Sequence, residues 1–99
     1  MNLCSFTGFL TEDPKLTQTD GISHAEFTLV TYTYRTAKST GEKNRIATFV
    51  KCEAWHTGAD TIGQLFFKGS KIHIHASARN PSKESRGVVF RVNEFDTGE

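Results

Sequence analysis

Ninety-nine residues, 36% hydrophobic and 23% charged, are enough for one small core and not for two. No stretch approaches the ~20 apolar residues of a membrane span, and "MNLCSFTGFL" has neither the basic start nor the long apolar run of a secretory leader. The net charge of +1 hides a segregation: residues 31–51 hold five cations against one carboxylate and residues 68–91 six against one, while the first thirty residues and the last eight each sum to −3.

The first stretch, "LCSFTGFLT", reads as a strand with Cys4, Phe6, Gly8 and Leu10 on one side, bent or bulged at Gly8. Pro14 and the pair Asp20-Gly21 then mark "TEDPKLTQTDG" as turn chemistry. The second strand covers about residues 23–35. Ala25, Phe27 and Leu29 form its core face, with Glu26, Thr28, Val30, Tyr32 and Tyr34 opposite. "TAKSTGEKN" is a polar hairpin loop with Gly41 near its tip. In the third strand, "ATFVKCEAWH", Val50, Cys52 and Ala54 face in and Phe49, Lys51, Glu53 and Trp55 face out.

Residues 57–68 change period, with Ala59, Ile62 and Leu65 or Phe66 as the stripe of a short helix. Lys68 complements its C-terminal dipole and Gly69 ends it. "SKIHIHASAR" alternates again, Ile72, Ile74, Ala76 and Ala78 inside. "NPSKESRG" is a second basic loop, and "VVFRVNEF" a last strand with Val88, Phe90 and Val92 inward. Three strands, one helix and two strands predict an all-β protein. The expected form is a five-stranded Greek-key OB-fold barrel with one short helix between strands 3 and 4, whose second and third strands form the binding face. One such domain fills residues 1–99, and no C-terminal tail is expected.

Rings on the outer side of consecutive strands need a reason. Tyr32, Tyr34, Phe49 and Trp55 would share one outer face with Lys51, beside a loop carrying Lys38, Lys43 and Arg45. Unpaired bases expose flat apolar faces, and stacking on an aromatic ring contributes ~1–3 kcal/mol per base with little regard to sequence. Neighbouring cations draw in phosphates and release counterions. Segregated charge supplies the local field that the near-neutral total conceals. Arg35 at the strand end, and Arg79, Lys83 and Arg86 around the second loop, join the same set. Outward rings also suit contact with another subunit, and a protein-binding surface is the competing reading.

Catalytic signals are weak. His73 and His75 share a strand face but have no evident third metal ligand, so no metal or other cofactor is expected. No phosphate-binding glycine loop and no nucleophile–base arrangement can be nominated, which points to a binder and not an enzyme. Cys4 and Cys52 form no Cys-x-x-Cys pair and read as small buried hydrophobes in a reducing, cytoplasmic setting.

"GFLTEDPKL", "AEFTLVT", "FVKCEAWHTGAD" and "FKGSKIHIHASAR" together resemble, in order and spacing, the bacterial single-stranded DNA-binding protein family. The resemblance spans about residues 6–79. It implies an OB domain that binds single-stranded DNA as a homo-oligomer, dimer or tetramer, in replication, recombination or repair, with no membrane association. Phe49 and Trp55 fall where that family stacks bases, and Lys51 on a basic position. A third stacking position aligns near Arg35, one step from Tyr34, and a fourth near Lys83, where a cation stands in place of a ring. "GISHAEF" and the short ending are also similar to primosomal replication protein N, a dimeric cousin, and phage-encoded relatives are another home. From that cousin comes the alternative role, a primosome-type adaptor that contacts replication proteins, with nucleic acid secondary.

Overall fold

The computed structural model describes residues 1–98, and its elements follow the alternating stretches. In chain order they are β1 (Cys4–Leu10), β2 (Lys15–Thr19), β3 (Ile22–Thr36), β4 (Lys43–Trp55), α1 (His56–Leu65), β5 (Lys71–Arg79) and β6 (Val89–Thr97). Hydrogen bonding orders the sheet β1-β5-β6-β4-β3-β2, and a further pairing of β1 with β3 closes the five long strands into a barrel. This is the expected OB architecture, with the helix between the third and fourth barrel strands.

Period-two patterning fills the interior. Ala25, Phe27 and Leu29 of β3, Val50, Cys52 and Ala54 of β4, and Ile72, Ile74 and Ala76 of β5 are all buried, with Leu10 of β1 among them. Each large aliphatic or aromatic side chain so buried contributes ~1.5–3 kcal/mol. Helix α1 packs Ala59 and Ile62 onto this cluster. Phe6 meets Phe90 edge-on at 5.0 Å, and Phe66 meets Phe95 edge-on at 5.9 Å.

Closure depends on Gly8. β1 follows β5 from Cys4 to Phe9, then pairs with β3 at Phe9–Val30 and Leu10–Leu29. At that crossing, a Cβ on Gly8 would sit 2.5 Å from the carbonyl oxygen of Val30. Only a hydrogen fits there.

Four expectations need correction. The stretch after β1 contains strand β2, hairpinned to β3 through Asp20 and Gly21, both at positive φ. Every β2 residue is exposed, so it has no apolar face to reveal it. The helix ends at Leu65, because Phe66 is already extended and turns inward while Leu65 points to water. Lys68 therefore meets no helix end; its backbone N–H is bound by Asp13 Oδ1 at 2.8 Å, and Gly69 belongs to the following turn. Val88 precedes β6 at the barrel rim and is exposed, while Val89 is covered. A register shift at His75/Ala76 lets Phe95 face inward three residues after Val92.

Candidate nucleic-acid interface

Strands β3 and β4 pair antiparallel over thirteen residue pairs, and residues opposite each other project to the same side. The outer side therefore runs His24–Trp55, Glu26–Glu53, Thr28–Lys51, Val30–Phe49, Tyr32–Ala47 and Tyr34–Arg45. All four expected rings and Lys51 occupy this one face. Phe49 is 67% exposed, Tyr34 63% and Trp55 38%, while Tyr32 is half-buried. For large apolar side chains in a folded monomer, such exposure on one strip is a mark of an interaction surface.

Beyond the barrel the two strands continue as an arm, and there cations lie on the rings. The Arg45 guanidinium carbon is 4.2 Å from the Tyr32 ring centre, and the Lys43 ammonium 5.2 Å from that of Tyr34. Such contacts hold a positive charge beside a flat surface at ~0.5–1 kcal/mol each when exposed. Lys38 is exposed in the turn at the arm's tip, closed by hydrogen bonds between Ala37 and Glu42 and between Gly41 and Ala37. Arg35 pairs with Asn44 on the opposite side of the arm from Tyr34, and the register does not bring it to the ring face.

At the barrel end of the strip the surroundings of Trp55 are closely bonded. Its indole N–H donates to Glu53 Oε2 at 2.7 Å, and its ring lies 4.2 Å from that of His24. Arg79 of β5 donates to the same carboxylate through Nε at 2.5 Å and Nη2 at 3.0 Å, and His24 Nε2 approaches it at 3.4 Å. Burial pushes Glu53 upward, but the bonds from Arg79 and Trp55, the charge of Arg79 and the bond from His24 outweigh it. Together they hold the carboxyl below the usual glutamate range. The hydrogen bonds to Glu53 push Arg79 the other way, so both stay ionised.

Glu53 was expected in water and is only 2% exposed. It does project outward from the barrel, as alternation requires, but Arg79, Trp55 and His24 cover it. These four side chains, together with Lys51 and Pro81, line a pocket of about 500 Å³. The loop carrying Lys83 and Arg86, both exposed, borders this pocket and is pinned by Asn80 Nδ2 donating to the Gly87 carbonyl at 2.6 Å. His24 and Glu53 are site residues that pattern reading missed. The two strands pair about a turn centred between Ser39 and Thr40, which places His24 opposite Trp55, and the loop composition does not mark that centre; nothing in β4 alone announces the burial of Glu53.

Elsewhere the residues offer less. His73 and His75 lie on the outer face of β5, where their Nδ1 atoms meet the hydroxyls of Thr7 and Ser5 at 2.5 and 2.7 Å. Among the described residues, no group of three or more His, Cys, Asp or Glu is placed to hold a metal ion. Burial pushes the Cys52 thiol up to about 12, so it stays protonated. No helix among the described residues is long and apolar enough to cross a membrane.

A closed five-strand barrel with an open, ring-bearing β3–β4 face defines an OB-fold protein of the binding kind. Comparison with known proteins narrows the class. The chain belongs to the single-strand binding protein family, which it matches over residues 1–95. That is a family of DNA-binding proteins, not of enzymes. The chain is 34% identical over 89 residues to a single-stranded DNA-binding protein of Fusobacterium nucleatum, covering 88% of this chain and 56% of that protein. Crystal structures of the single-stranded DNA-binding protein from Thermus aquaticus share the fold. A deletion mutant superposes at TM-score 0.83 with 22% identity, and the wild type at 0.82 with 21%. Both cover all of this chain, which spans about half of each Thermus chain.

Proposed function

We propose that the protein binds single-stranded DNA with little sequence preference, protecting or presenting strands during replication, recombination or repair. Bases stack on Tyr34, Phe49 and Trp55, with Tyr32 alongside, while Lys38, Lys43, Arg45, Lys51, Lys83 and Arg86 hold phosphates. The observation that carries this reading is the shared outer face of Phe49, Lys51 and Trp55, two exposed rings with a cation between them. A duplex, whose bases are already stacked, cannot use such a strip. The protein works as a homo-oligomer in the cytoplasm, and family membership supports that part of the reading.

The test is a titration with oligo(dT) at two salt concentrations, followed by the emission of Trp55, the single tryptophan. Tight, salt-sensitive binding with quenching supports the proposal. A second reading, an adaptor that docks on another protein, has support in Phe9, Leu65 and Phe67, exposed apolar residues bordering a separate pocket. Millimolar, salt-insensitive binding of oligo(dT) would favour it.

A further inference from the structure

Arg79 carries a full charge beside the proposed strand path, and the simplest role for it is to grip a phosphate. Its bonding argues otherwise. Two of its three nitrogens are committed to Glu53, at 2.5 and 3.0 Å, and that carboxylate is buried. A guanidinium locked fork-to-fork on a carboxylate has lost most of its field at distances beyond the pair, and phosphate attraction depends on that field. What remains is directional. Nη1, which approaches the Asn80 carbonyl at 3.5 Å, still has N–H groups to offer a neutral acceptor.

The same carboxylate fixes the neighbouring ring. Glu53 takes the Trp55 indole N–H while His24 packs against the ring, so the ring plane and the guanidinium are set by one buried anchor. Around them lies a pocket walled by Lys51 and Pro81. Its volume, about 500 Å³, falls in the range of small-molecule sites. A flat apolar wall beside a fixed, charge-compensated donor suits a planar heterocycle with ring-edge oxygens better than it suits an anion.

We propose that Glu53 is a positioning residue which makes the Trp55–Arg79 pocket a nucleobase subsite and not a phosphate subsite. A base stacks on Trp55, and its carbonyl edge accepts a hydrogen bond from Arg79 Nη1. Pyrimidine O2 or O4 and guanine O6 provide such an acceptor. Phosphate contacts then belong to Lys51 and to the arm and loop cations, and Arg79 adds none to the count. The inference deepens the single-strand-binding reading and rests on it.

The experiment compares the wild-type protein with Glu53→Gln and with Glu53→Gln combined with Arg79→Gln, each titrated with oligo(dT) across a salt series. Wild-type binding comes first: without it the functional reading fails, and this inference with it. Given binding, the double variant is expected to bind about fivefold more weakly at every salt concentration, the loss of one hydrogen bond, with the wild-type slope of log affinity against log salt. Glu53→Gln alone unmasks the guanidinium and should steepen that slope by about 0.7, the contribution of one cation on a single strand. The double variant replaces a neutral pair by a neutral pair, so it carries the test even if Glu53→Gln alone fails to fold. A slope flattened by about 0.7 in the double variant would make Arg79 a phosphate ligand and overturn the proposal. Unchanged affinity would do the same, by taking the pocket out of the binding site.

Discussion

Arg45 lies over Tyr32 with its guanidinium carbon 4.2 Å from the ring centre. The contact puts a cation and a flat surface on the same patch of the β3–β4 arm, and Lys43 over Tyr34 repeats it one step further out. A single strand has phosphates and bases in just this alternation. Replacing both Lys43 and Arg45 by alanine should therefore flatten the salt dependence of oligo(dT) binding by up to about 1.4 in log–log slope, the share of two phosphate contacts. A slope equal to that of the wild type would remove the arm from the strand's path.

Trp55 is the ring with the most elaborate support, held by Glu53 and packed against His24. Trp55→Ala should weaken binding by ~1–3 kcal/mol, similarly for oligo(dT) and oligo(dC), because stacking is indifferent to base identity. Equilibrium titrations with both oligonucleotides check this. A loss confined to one sequence would point to edge recognition in place of stacking.

The barrel's closure makes a prediction about stability alone. The Cβ of Gly8→Ala would lie 2.5 Å from the Val30 carbonyl oxygen, a backbone atom that cannot swing aside. The variant should lose ~1–3 kcal/mol, the usual penalty of overpacking. Urea denaturation measures it directly, and an unchanged midpoint would mean that β1 and β3 do not cross as described.

Acid should remove the stability that Glu53 contributes. Its carboxyl is held below the ordinary value of 4.5, so in the folded protein it binds a proton less readily than in the unfolded chain. The stability it contributes is thus fully present above the unfolded value, and is lost as pH falls through the lower, folded value. In urea midpoints taken from pH 7 downward, Glu53→Gln should lose less stability than the wild type below about pH 4.5. Parallel acid profiles would contradict the role assigned to this carboxylate.

Patterning made the barrel readable because four of its strands bury one face, and alternation records that burial residue by residue. β2 has no buried face, yet its turn was in view: Asp20-Gly21 is the dipeptide of a two-residue hairpin with positive φ at both positions. The end of the helix was misplaced because Leu65 and Phe66 are equally apolar, and only packing against Phe95 decides which turns inward. At the site, the rings showed themselves by standing opposite a core face. The Glu53–Arg79 pair did not, since it joins residues 26 apart in sequence on two different strands and neither residue carries a mark of its partner.

A single strand is expected to lie along the β3–β4 strip, and one measurement reaches that directly. Phe49→Ala combined with Trp55→Ala, titrated with oligo(dT) beside the wild type, removes both rings that flank Lys51. Without these two stacking platforms, binding should weaken by ~2–6 kcal/mol, with the fold intact by circular dichroism and the salt slope little changed. A doubly substituted protein that binds oligo(dT) as tightly as the wild type would contradict this path for the strand.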